Sequence, residues 1–160
     1  MRTLLFLWRV LPFPDRARGL IMWAYNTHFV AGAAAFIRDD DGRVLLFKHT
    51  YRRRHPWGMP GGYIGRGERP EEALMRELRE EAGLIIAVEG IALVELDPVY
   101  RNINLVYRCR VTGGTFQPSA EVSACAYVAP DALPSGVMPF QRRQIARLAA
   151  SGAGHGGARA

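Results

Sequence analysis

Two rhythms of apolar and polar positions run along this 160-residue chain. Between residues 70 and 82, Leu74, Met75, Leu78 and Ala82 recur every three to four residues, the period of a helix with one docked face. Pro70 suits the first turn, Glu71 and Glu72 suit its positive end, and Gly83 suits the stop, so the spacing predicts a helix over 70–82. A second helix is predicted over 139–150, after Pro134 and Gly136. Elsewhere the apolar runs are short and bounded by turn residues. Strands are expected at 29–37, 44–50, 86–96, 103–111 and 123–128, with Asp40, Asp41 and Gly42 read as a hairpin turn between the first two.

The ends follow neither rhythm. In MRTLLFLWRVLPFP the apolar run Leu4 to Trp8 is cut by Arg9, which leaves it too short for a membrane span, and no small-residue cleavage site follows. As a helix it would place Arg2 and Arg9 on one narrow side, opposite Leu4, Leu7, Trp8 and Leu11. A second short helix follows Pro14 through Leu20, Ile21 and Trp23. We expect this N-terminal helical extension to pack on the core or against a second subunit in a homodimer, with peripheral membrane contact as the alternative. The last ten residues, SGAGHGGARA, are expected to be disordered. The expected division is an extension at 1–25, one domain at 26–150 and a tail at 151–160.

Composition fits one domain: 49% of residues are hydrophobic, enough for a single core. The net charge of +6 is spread over scattered arginines without an RNA-binding motif or aromatic–basic alternation. No nucleic-acid partner is therefore expected, and a small phosphorylated substrate accounts for the charge equally well. Cys109 and Cys125 lie in apolar strand-like runs and read as buried thiols of a reducing, cytoplasmic compartment.

The segment with the most chemistry is GYIGRGERPEEALMRELREEAGL, Gly62 to Leu84. On its predicted helix Glu77, Glu80 and Glu81 stand at i, i+3 and i+4 and share a face, where like charges oppose the helix unless something positive sits among them. Oxygen ligands without His or Cys favour Mg²⁺ or Mn²⁺. A plain solvated face would instead pair Glu72 with Arg76 and Arg76 with Glu80. Just upstream, the paired glycines of Trp57-Gly58-Met59-Pro60-Gly61-Gly62 allow close approach of the backbone to a ligand. Arg52 and Arg54, in Tyr51-Arg52-Arg53-Arg54-His55, are candidates for gripping phosphate.

Gly62, five residues, Glu68, seven residues, Arg76-Glu77-Leu78, one residue, Glu80-Glu81, one residue, Gly83-Leu84 matches the signature of the Nudix hydrolases without a substitution. The motif covers 23 residues, and the chain resembles that family over about residues 28 to 133. The resemblance implies an α+β fold, an α/β/α sandwich around a mixed sheet. It implies a Mg²⁺-dependent pyrophosphohydrolase that cleaves a diphosphate bridge in a nucleoside diphosphate linked to another moiety. The cation would be held by Glu77, Glu80, Glu81 and the Gly61 carbonyl. Glu68 would join that cluster or hold Arg76, and Arg76 would orient a neighbouring glutamate. The general base would be Glu80, or else Glu121 in the loop Pro118 to Val122, unless Glu121 is a solvated loop charge. Pro98 and Tyr100 fall near positions that separate ADP-ribose from dinucleoside-polyphosphate hydrolases in some relatives, and they point in different directions. Two other readings share the resemblance. An isoprenoid diphosphate isomerase needs a catalytic Cys and Glu outside the motif, a context Cys109 and Cys125 lack. A nucleotide-binding regulatory module without hydrolysis has usually lost motif acids, all of which are present here.

Overall fold

The computed structural model describes residues 14–26, 28–97 and 101–152. In chain order the elements are α1 (Asp15–Tyr25), β1 (Val30–Ile37), β2 (Val44–His49), β3 (Trp57–Gly58), β4 (Gly61–Tyr63), α2 (Pro70–Ala82), β5 (Leu84–Asp97), β6 (Asn102–Gly114), β7 (Val122–Val128) and α3 (Pro139–Gly152). One sheet has the order β4-β1-β6-β5 and a second the order β3-β2-β7. The β1–β6 pair is parallel and its neighbours are antiparallel, which makes the first sheet mixed.

Alternating side chains feed two cores, one on each side of the sheets. Ala33, Ala35 and Ile37 of β1 and Leu45 and Phe47 of β2 pack with Leu74, Leu78 and Ala82 of α2. The intervening Phe36, Val44 and Leu46 pack with Ile145 and Leu148 of α3. Strands buried on both faces between two helical layers form an α+β sandwich. Of the apolar stripe anticipated for α2, Leu74, Leu78 and Ala82 are buried and Met75 is half-buried, and the helix span agrees with the spacing.

Gly83 ends α2 in the left-handed conformation, φ 68°, and its N–H bonds back to the carbonyls of Arg79 and Leu78. There the helix end meets the end of β6. The Gln117 N–H donates to the Ala82 carbonyl at 2.9 Å, and a Cβ on Gly114 would lie 2.2 Å from the Gly83 carbonyl oxygen.

Three expectations change. The turn after β1 is tight, with the Gly42 N–H bonded to the Asp39 carbonyl at 3.0 Å, but β1 and β2 do not form a hairpin. They meet at a single bridge, Arg38 with Val44, and enter different sheets, because each has a better partner elsewhere: β6 for β1 and β7 for β2. The C-terminal helix runs to Gly152, two residues into the segment expected to be a tail. The short helix after Pro14 forms, but it leaves Leu20, Trp23 and Tyr25 exposed instead of packing them on the core. The apolar helix proposed for residues 1–13, the tail beyond 152, and Pro98 and Tyr100 lie outside the described residues. Among the described residues no helix is long and apolar enough to cross a membrane.

Candidate active site

The glycine run becomes part of a sheet. Gly61, Gly62 and Tyr63 form β4 and pair antiparallel with Ala34, Ala33 and Gly32 of β1. At Gly61, φ is +152°, and a Cβ would lie 2.2 Å from the Ala33 carbonyl oxygen, so only glycine holds this strand against its neighbour. At Gly62 a Cβ would fall 2.5 to 2.8 Å from the Glu77 carboxylate and its stem. The two glycines thus let α2 bring Glu77 hard against the strand.

Arg76 organises the acids. Its Nε and Nη2 donate to the two oxygens of Glu68, at 2.8 and 3.1 Å, and its Nη1 donates to Glu77 at 3.0 Å and to Glu80 at 3.2 Å. This fork holds the Glu68 carboxyl below the usual carboxylate range, helped by the Gly65 N–H, and raises the arginine's own pKa. Of the two roles open to Glu68, the structure supplies the second: it clamps Arg76.

Glu81 is buried at 8% exposure, and its Oε2 has no hydrogen-bond partner. Burial first, then the carboxylates of Glu77 and Glu121, push its pKa up to about 7, while Arg52 pulls the other way. Glu121 is held by its loop. The Ser119 hydroxyl accepts from the Glu121 and Val122 N–H groups at 3.2 and 3.1 Å, and the Glu121 carbonyl accepts from the Thr50 N–H at 2.9 Å. Arg52 lies over the Tyr51 ring, 5.4 Å from its centroid.

Gly61, Glu77, Glu81, Glu121 and Arg52 line one groove of about 840 Å³, within the range of small-molecule sites. Two expected residues are not brought to it. Arg54 is exposed and away from the lining. Glu80 has a side chain 62% exposed and turned to Arg76. Successive helix residues step by about 100°, so Glu77 and Glu81 stand about 40° apart while Glu80 stands about 100° from Glu81. A helix pinned by Leu74 and Leu78 can aim only the closer pair into the groove.

The sequence reading missed several residues here. His49, buried at 2% exposure with neither ring nitrogen hydrogen-bonded, lies behind the arginine loop with its ring 5.4 Å from that of Tyr51. Burial and Arg52 lower its pKa to about 4, which keeps it neutral. Gln141 of α3 accepts from the Met59 N–H at 3.2 Å and ties that helix to the glycine run. Asp97, Asn102 and Asn104 line the groove beyond Gly32. Their convergence depends on strand register, which no local pattern reveals.

The donor set suits a hard cation. Among the described residues no three His, Cys, Asp or Glu side chains form a closed metal cluster. Mg²⁺ is commonly held by one or two carboxylates with water and phosphate completing its shell, and Glu77 and the unpartnered Oε2 of Glu81, which line the groove with Gly61, are groups of that kind.

A family model described as NUDIX domain matches residues 28–148. A protein of Bacillus subtilis provisionally named as an 8-oxo-dGTP diphosphatase is 30% identical over 119 residues, 73% of this chain and 78% of that one. An ADP-ribose pyrophosphatase of Methanocaldococcus jannaschii is 31% identical over 117 residues, 68% of this chain and 66% of that one. The crystal structure of a NUDIX hydrolase from Nitrosomonas europaea shares the fold with TM-score 0.70 at 18% identity, over 82% of this chain and 76% of that one.

Proposed function

The chain belongs to the Nudix hydrolases, enzymes acting on acid anhydrides, and from that premise we propose that it hydrolyses the diphosphate bridge of a nucleoside diphosphate linked to a further group, with Mg²⁺ or Mn²⁺ bound. The observation that carries this reading is the convergence of Glu77, Glu81 and the Gly61 backbone on a groove that Arg52 and Glu121 also line. A divalent cation held there would neutralise phosphate oxygens and lower the pKa of the attacking water.

The chain's own groups supply the rest. Arg52 offers a permanently charged fork to phosphate. Arg76 fixes Glu77 from behind, so that this carboxylate meets substrate already oriented. Glu121 is favoured over Glu80 as the base that takes the water's proton. It lines the groove on a pinned loop, whereas Glu80 faces Arg76 and solvent. Attack at phosphorus then expels the bridging oxygen on the departing phosphate. The isomerase alternative finds no support, since Cys109 is buried with its thiol pushed up to about 12 and neither cysteine lines the groove.

Turnover of nucleoside diphosphate derivatives, read as phosphate released by a coupled phosphatase, should vanish in excess chelator and return with Mg²⁺. Full turnover in chelator overturns the reading. Glu121→Gln should lower kcat by roughly 10²- to 10⁴-fold with little change in KM, and flatten the acidic limb of the kcat profile. Wild-type kcat with an unchanged limb would move the base to Glu80.

A further inference from the structure

We infer that two copies of this chain form a two-fold pair in which α1 of each lies on the uncovered sheet face at the β5 edge of the other. The pairing does not depend on the reaction. It covers two apolar surfaces that a single copy leaves in water.

The first surface is α1 itself. Of its described residues only Ala17 and Arg18 are half-buried, and Leu20, Trp23 and Tyr25 are 64% to 78% exposed. Leu20 and Trp23 stand three apart and Ile21 and Tyr25 four apart, so the apolar arc takes in more than half of the circumference. An eleven-residue helix with Gly19 near its centre does not hold in water without a surface to pack on. The Trp23 ring meets His28 of the connection to β1, with 4.6 Å between centroids, a contact that leaves Leu20 and Tyr25 uncovered.

The second surface lies on the α2 side of the first sheet. There β5 sets Ile91 opposite Tyr107, Val94 opposite Leu105 and Leu96 opposite Ile103, and Tyr107 and Leu105 belong to the core beneath α2. Ile91, Val94 and Leu96 are exposed, because α2 covers this face only as far as Glu71 and Met75, which share a cleft with Ile91 and Tyr107. β5 is also the edge of its sheet. Register shifts after Ile85, Val88 and Ile91 bend it and spoil the edge for a further strand, so a partner meets its face.

The two surfaces match in length and in charge. α1 is about 16 Å long, and so is the run of β5 from Ile91 to Leu96. Arg16 stands one turn before Leu20 on the same side of α1. The cleft beside Ile91 carries Glu71 and Glu89, with no basic residue in its lining among the described residues. Their own surface partners, Arg69 and Arg110, stand off at 4.0 and 3.5 Å. Each copy thus presents a helix and a face that accepts one, and holds the two apart. A single two-fold axis satisfies both contacts at once and closes the assembly at two.

Sedimentation of the full chain at micromolar concentration should show two copies. Trp23→Glu in α1 and Val94→Glu in β5 should each give one copy, with Leu96→Glu repeating the second test on the same row. These positions are exposed in a single copy, so the fold should persist, which circular dichroism checks. Mixing Trp23→Glu with Val94→Glu should restore a pair bound about tenfold or more weakly than wild type, because one intact α1 then meets one intact β5 face. A wild type that sediments as one copy, free or on anionic vesicles, overturns the pairing. So do a dimer that survives both changes, species that grow beyond two copies, and variants that fail to recombine, which would place like surfaces against each other.

Discussion

Glu81→Gln should nearly abolish turnover and at the same time stabilise the metal-free protein. The variant loses a groove carboxylate proposed to hold the cation while keeping its shape, so kcat should fall by roughly 10³-fold or more. The stability gain follows from the proton held by the wild-type side chain. Its folded pKa of about 7 lies above the ordinary value of 4.5, so the folded protein keeps a proton that the unfolded chain releases. A raised carboxyl pKa means that stability falls as pH rises from 4.5 to 7, with the whole deficit present above that window. For this shift the deficit is roughly 3 kcal/mol. Replacing the carboxyl by an amide removes it. Thermal melts in chelator at pH 8 should place Glu81→Gln about 5 to 10 °C above wild type, and the two should converge towards pH 4.5. Superimposable melts at pH 8 would show that Glu81 carries no such burden.

The adjacent glycines should respond to the same small insertion in opposite ways. In Gly61→Ala the new methyl meets backbone, 2.2 Å from the Ala33 carbonyl oxygen and 2.7 Å from the Ala34 Cα, so β4 must leave β1. We expect a loss of about 3 kcal/mol or more, with activity lost because the strand is displaced. In Gly62→Ala the three atoms nearest the methyl all belong to the Glu77 side chain, which can swing aside. That variant should melt close to wild type yet lose about 10²-fold in kcat/KM, because a carboxylate moved by an ångström no longer holds the cation where the reacting phosphate needs it. Denaturant unfolding and kinetics on both variants separate the cases. Equal unfolding midpoints for the two would refute the assignment of backbone contact to one and side-chain contact to the other.

Much of this site was legible because its chemistry is contiguous. Pro70, the carboxylates and Gly83 fall within one helix, and helical periodicity places Leu74 and Leu78 against the core without knowledge of the fold. Glu80 shows the limit of that reasoning. Three carboxylates at i, i+3 and i+4 share a broad face, but the width of the groove and the pull of Arg76 decide which of them enter it. The hairpin expected at 40–42 failed for a related reason: a turn signal specifies local geometry, while the partner of a strand is set by the whole sheet. β3 and β4, two and three residues long, carry too few positions for any period to show. Asn102 and Asp97 escaped notice because their nearness to Gly32 comes from a parallel register between strands about 70 residues apart in sequence.

The junction between the end of α2 and the end of β6 bears on how this enzyme fails under heat. Contact there runs from main chain to main chain, with the Gln117 N–H donating to the Ala82 carbonyl and the Gly114 backbone lying against the Gly83 carbonyl, so no change of rotamer can release it. Fraying of the last helical turn, which carries Glu80 and Glu81, would break that bond beside the Leu84–Gly114 pairing of β5 with β6, and β6 lies between β1 and β5 inside its sheet. A cooperative unit of this kind has no inexpensive partial opening. Hydrogen exchange of the last-turn amides and heat inactivation should therefore run on one clock, that of global unfolding, with the acidic face of α2 persisting for as long as the fold itself.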